Sequence, residues 1–201
     1  NSDLIREISF YTGSFPSNRG GALSSVMDIT LKDGNSQKQA FKATIGASEA
    51  GVSASGHIGK NTTYIASVRQ SYLQLLFKLL GLPMLPNYID GQVKFKTRLN
   101  DRNELVFIGL AGFDNLKLNE EPDDAGDKYL LSYLPKLKQE TFTVGVSYKH
   151  FGDGNIQTVS FGYNYLNTRS LKYMDNDESL EDKLMLRSAA LEGKAQLRFE
   201  N

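Results

Sequence analysis

Cysteine and tryptophan are absent from the 201 residues, histidine occurs twice and proline five times. Without cysteine there is no disulfide scaffold, no thiolate-bound zinc and no thiol nucleophile. The two histidines, His57 and His150, sit near turns, at opposite parities of different extended segments and without a carboxylate at a telling spacing. They make no Ser-His-Asp arrangement. Gly46, Gly51, Gly56 and Gly59 do not follow a dinucleotide-binding spacing and suit tilted strands instead. No excess of either charge exists: 23 Lys plus Arg balance 23 Asp plus Glu. A nucleic-acid partner is therefore not expected. Long apolar runs are also missing, and the mean hydropathy is −0.37, so no segment approaches the ~20 apolar residues of a transmembrane helix. Strands that cross a membrane remain open, because each is short and half polar. The chain is read as a non-enzyme without a cofactor.

What the sequence does contain is alternation. In Thr141–Lys149 the residues Phe142, Val144, Val146 and Tyr148 alternate with Thr143, Gly145 and Ser147. Val159, Phe161, Tyr163 and Tyr165 alternate with Ser160, Gly162 and Asn164, and Leu191–Phe199 alternates with Glu192, Lys194, Gln196 and Arg198. Successive strand side chains point to opposite faces, so each segment carries one apolar and one polar face. Leu105–Phe113 is apolar on both, which fits a strand with something packed inside it. The expected strands are Ile5–Thr12, Val26–Leu31, Phe41–Ser48, Gly51–Ile58, Thr63–Arg69, Ile89–Leu99, Glu104–Asp114, Glu140–Lys149, Ile156–Thr168 and Arg187–Glu200. Several exceed the ~5–6 residues of an ordinary strand and approach the ~9–11 that cross a bilayer.

The connections from Phe41 onward alternate in length. Gly59–Asn61, Asn100–Asn103 and Phe151–Asn155 are tight and rich in turn residues; Gln70–Tyr88, Asn115–Gln139 and Arg169–Leu186 are long, and Glu49-Ala50 is a short exception. An up-and-down meander places alternate connections at opposite ends, so short turns and long loops should be sorted, as in outer-membrane barrels. Ser71–Pro83 breaks the alternation and reads as about three turns of helix ended by Gly81 and Pro83, either folding over a mouth, meeting a partner or simply packing. Asp175–Glu178 imitates the start of a calcium loop but lacks its glycine and closing Glu, and Glu120–Asp124 is equally acidic. Both read as solvated acidic loops.

Phe10–Gly34 resembles the end of the plug domain of TonB-dependent outer-membrane receptors of the Bacteroidetes type. The matching positions are Gly13, Pro16, Gly20-Gly21, Ser24-Ser25, the strand Val26–Leu31 and Lys32-Asp33-Gly34, with Arg19 where the family often carries an aromatic residue. Ser67–Tyr72 and Tyr88–Lys94 are similar to the family's third and fourth barrel strands. The resemblance implies an all-β antiparallel meander: residues 1–34 as the end of a plug, and residues 35–201 as the first eight strands of an incomplete transmembrane β-barrel. It also implies active uptake of an oligosaccharide, peptide or metal chelate across a Gram-negative outer membrane. The implied partners are membrane lipid, a TonB-type energy-transducing protein and, as a further candidate, a surface lipoprotein. Lys94, Lys96, Arg98, Glu192, Lys194 and Arg198 would then face a wet lumen or a polar plug.

The abrupt start at Asn1 and the strand that runs to Glu200 read as an excised piece, whose open edges would self-associate. Two rivals stay open: a complete eight-stranded structural or adhesive outer-membrane barrel, and a soluble ligand-binding β-barrel.

Overall fold

The computed structural model describes residues 2–13, 15, 24–119 and 124–201. It is built almost wholly of antiparallel strands. A two-stranded ribbon pairs β1 (Ile5–Tyr11) with β2 (Val26–Leu31). An eight-stranded sheet follows, formed by β3 (Ala40–Ile45), β4 (Glu49–Ile58), β5 (Thr62–Ser71), β6 (Met84–Asn100), β7 (Asn103–Leu118), β8 (Lys136–Phe151), β9 (Ile156–Tyr173) and β10 (Leu184–Glu200). Each strand pairs with its neighbours in sequence, so the sheet is a meander. Its ladder ends at β3 and β10, which do not pair with each other.

That order places the short connections 59–61, 101–102 and 152–155 at one end. The other end carries the longer ones, with α1 (Leu73–Leu79) and α2 (Ala125–Tyr133) in two of them. Four sequence expectations are corrected here. The helix expected over Ser71–Pro83 forms only at Leu73–Leu79. Its last turn is closed by Gly81 N–H to Lys78 O (3.2 Å) and Leu82 N–H to Phe77 O (2.9 Å), with Gly81 at φ +70°. That paired closure needs a left-handed residue just past the helix, where glycine has no Cβ to clash. Second, α2 lies inside the segment expected to be loop; Asp124 caps it by accepting from Gly126 N–H at 2.8 Å. Third, the later strands reach well beyond the alternating segments. Met84–Tyr88 of β6 pairs with Asp114–Leu118 of β7, so the loop expected over Gln70–Tyr88 ends early. Pro86 is accommodated because the β5–β6 ladder stops at Gln70 and Ile89, leaving that stretch of β6 bonded on one side only. The first long-loop-end connection is 46–48 rather than Glu49-Ala50, since β4 begins at Glu49.

Register decides what each face carries, because directly opposed residues point the same way. Val52, Val68 and Gly91 lie in one row, Phe95, Phe107, Val146 and Phe161 in another, and Tyr148, Val159 and Phe199 in a third. Followed across all eight strands, this face has no charged residue between Phe41 on β3 and Phe199 on β10 over the middle of the sheet. The opposite face holds Arg69, Asp90, Lys94, Lys96, Arg98, Glu104, Lys149, Glu192, Lys194 and Arg198. Burial is shallow: among the described residues the buried apolar ones are Leu4, Ile65, Leu118, Leu131 and Tyr173. The chain exposes 13379 Å², against about 9,400 Å² for a compact folded monomer of its mass. Part of the excess lies on the apolar face, where Phe41 is 79 % exposed and Phe161 48 %.

Candidate functional site: the ribbon-to-sheet junction

The ribbon rests on the charged face. Ile29 and Leu31 of β2 share one cavity wall with Val106 and Ile108 of β7, which accounts for apolar residues on both faces of β7. Leu4, just before β1, is buried and lines a second cavity with the buried Ile65 of β5. Lys42 of β3 reaches back to Asp3 at 2.7 Å.

The connection 32–39 is stitched to the sheet. Lys94, only 9 % exposed, donates to Leu31 O (3.1 Å), Lys32 O (3.3 Å) and the Asp33 carboxylate (2.6 Å). An ammonium carries three donors, so this buried charge is fully bonded, which is what keeps its burial from being prohibitive. Asp33 also takes Lys96 at 3.0 Å, and Lys96 turns to Glu104 at 3.2 Å. Partial burial works against ionisation of Asp33, but the hydrogen bonds and charges of Lys94 and Lys96 outweigh it and hold its carboxyl below the usual carboxylate range.

Gly34 passes against the backbone of two strands. A Cβ there would fall 2.3 Å from Tyr64 O, 2.4 Å from Tyr64 N and 2.6 Å from Gly56 O. Only a residue without a side chain allows this approach. Asn35 N–H then donates to Ser55 Oγ at 3.1 Å, and Gln39 Nε2 to His57 O at 2.7 Å, carrying the chain into β3.

Of the residues matched to the plug-end pattern, Asp33 and Gly34 meet at this junction. Gly13 lies beyond β1 with open space around it, and Ser24 and Ser25 precede β2 in the ribbon, apart from the Asp33 cluster. Pro16, Gly20 and Gly21 lie outside the described residues. The lysines that hold Asp33 were readable as charges on one face, but not as its partners. No periodic signal links positions 61 and 63 residues apart.

A second polar cluster escaped sequence reasoning. Arg69 bridges Glu49 (3.2 Å) and Asp90 (2.9 Å), and Tyr88 donates its hydroxyl to Glu49. Strand parity places Arg69 and Asp90 on the same face once the register is known. At the loop end the acidic stretch is engaged locally: Asp177 with Lys183 and Ser179, Glu178 with Lys136. The hydrogen bonds from Lys183 and Ser179 hold the Asp177 carboxyl well below the usual range. His57 and His150 stay apart, His57 bonding Gly59 O and His150 bonding Asn103. Among the described residues no group of three or more His, Asp or Glu stands at metal-binding geometry.

The arrangement is thus a charged face on which the ribbon rests over β6, β7 and β8, backed by an uncharged opposite face. Set against known proteins, the chain matches no family model, no curated protein and no solved structure.

Proposed function

We propose that this chain is part of the wall of an outer-membrane transport barrel, with β1 and β2 as the end of a plug held against the inner wall, in the manner of TonB-dependent receptors. The observation that carries the reading is the uncharged face that runs without interruption across eight strands. A charge-free face on an antiparallel sheet is normally packed against a core, yet here it stays exposed, with Phe161 48 % and Leu197 63 % accessible. Lipid is the partner that such a face requires.

Four further features support it. Aromatics mark both margins of the apolar band, with Tyr64, Tyr148 and Phe199 toward the short turns, and Phe113, Phe142 and Tyr165 toward the loops. The last three form a chain of ring contacts, Phe113 to Phe142 at 5.3 Å and Phe142 to Tyr165 at 6.0 Å. Short turns and long loops are sorted by end. The unpaired edges of β3 and β10 favour a larger closed wall over a complete eight-stranded barrel. A soluble ligand-binding barrel would turn its charged face to water, whereas here the ribbon occupies the part of that face formed by β6, β7 and β8. Uptake of a bulky solute driven by a TonB-type protein acting on the plug follows from this reading.

These 201 residues hold no cysteine, so a single one can be introduced at any position within them. Single cysteines at Val144, Phe161, Thr143 and Ser160 are labelled with a fluorescent thiol probe in the full-length protein reconstituted with brominated lipid. Quenching at 144 and 161, but not at 143 and 160, is the expected pattern. Quenching at 143 and 160 only would swap inside and outside, and no quenching at any site would remove the membrane reading.

A further inference from the structure

The chain is neutral overall, yet its cations are not evenly spread. Two cavities adjoin where the ribbon meets the short-turn end of β5–β8, one of about 460 Å³ and one of about 270 Å³. They share Asp33, Lys96 and Glu104. Lys94 and Lys96 neutralise the two carboxylates. That leaves Lys60 and Arg98 in the larger cavity, and Arg6 and Lys149 in the smaller, with no ion pair among the described residues. The first two come from the β4–β5 turn and β6, the others from β1 and β8, so the unpaired charges approach from four sides. Asn61, Thr63 and Ser147 add neutral hydrogen-bond donors to the walls. Unpaired like charges gathered around water-filled space repel one another, and a multiply charged anion removes that repulsion.

We propose that these adjoining cavities form a binding site for a polyphosphate or bisphosphate group at the junction of ribbon and sheet. Arginine presents a fork of donors that matches a phosphate oxygen pair, while lysine acts as a point charge, so Arg98 and Arg6 orient the two groups and Lys60 and Lys149 add charge. An occupant also reaches Lys96 and competes with Asp33 for it. Binding therefore loosens one of the two lysine contacts that hold the connection at residue 33. The site stands on the charge and shape of the junction and does not depend on the membrane reading.

The test is titration of the full-length protein with inorganic pyrophosphate by calorimetry, alongside inorganic phosphate and sulfate. Pyrophosphate is expected to bind more tightly than either single anion, because it brings more charge and more acceptor oxygens to the same group of cations. Arg98→Gln and Lys149→Gln should each weaken it about tenfold, the loss of one charge-assisted contact, while Lys128→Gln on α2 leaves it unchanged. Circular dichroism of the strands shows whether each variant is folded. Equal weakening by Lys128→Gln, equal affinity for pyrophosphate and sulfate, or no binding heat in the unsubstituted protein each overturns the proposal.

Discussion

Phe161→Arg offers the sharpest test of the sidedness of this sheet. Phe161 stands five residues into β9 from the last pair of the β8–β9 hairpin, Phe151 with Ile156. At ~3.4 Å per residue and a ~45° tilt, that is about 12 Å above the turn end. An outward apolar band is ~25 Å tall, so residue 161 falls near its middle. The residue is 48 % exposed, and Val146 and Leu197 are its lateral neighbours. A guanidinium there has no acceptor within the apolar row and cannot easily reach either margin. The expected cost is about 2–4 kcal/mol. Ser160→Arg, one position away, projects into the charged face beside Ser147 and Arg198 and should cost well under half of that. The assay is denaturant titration of the full-length protein refolding into lipid vesicles, read by intrinsic Tyr fluorescence and by heat-modifiable gel mobility. A larger loss for Ser160→Arg than for Phe161→Arg would refute the assignment of faces and, with it, the proposed transport wall.

The junction gives two further outcomes. Gly34→Ala should destabilise by about 1–3 kcal/mol through forced contact with the Tyr64 and Gly56 backbones, while Gly46→Ala, whose nearest contact would be 3.5 Å, stays within about 0.5 kcal/mol. Equal effects in unfolding titrations would show that the close approach at 34 is not constraining. Asp33 titrates below its unfolded value of ~3.9. Its contribution is therefore complete above that pH and is lost as pH falls through the lowered folded value. Protection of residues 26–35 against hydrogen exchange, relative to the intrinsic rate at each pH, should fall as pH drops below about 4 in the native protein, and Asp33→Asn should show the lower protection already at pH 7. An Asn variant that keeps the acid step would assign it to another carboxylate. Protease added to intact cells should cut within residues 119–135 and 174–183 and spare 101–102 and 152–155. Cleavage first at the short turns would invert the topology.

Side-chain alternation carried most of the fold. The rows through Phe142–Tyr148 and Val159–Tyr165 were readable because period two is a local property, and the tight turns between them were marked by Gly, Asn and Asp. Strand ends were less readable: Met84–Tyr88 and Leu166–Tyr173 break the alternation and are held extended by the ladder beside them rather than by their own pattern. Tertiary pairing overrides weak local preference there. The short helix Ala125–Tyr133 had its capping Asp124 in view, but that residue ends an acidic run which looks like a solvated loop. At the junction, Asp33-Gly34 stood out only as the close of the plug-end pattern. The structural reason is different: Gly34 is required by a close backbone pass and Asp33 by two lysines more than sixty residues away. Distant partners of that kind leave no trace in the spacing of neighbouring residues.

The length of β8, β9 and β10, at 16, 18 and 17 residues, has a consequence for how a solute would approach. Eighteen residues at ~3.3 Å and ~45° tilt rise about 42 Å, well beyond a ~25 Å apolar band. The band lies close to the short turns, since Val159 is three residues from the start of β9. Nearly all the surplus height therefore stands on the loop side, as a hydrogen-bonded palisade with polar residues such as Glu140 and Asn167 on its outer surface. Under the proposed reading the loops would crown this palisade instead of lying on the membrane. In the proposed orientation, a bulky solute first meets a stiff vestibule of fixed bore, raised clear of the headgroups, and shortening the loop over residues 174–183 would lower its rim without narrowing it.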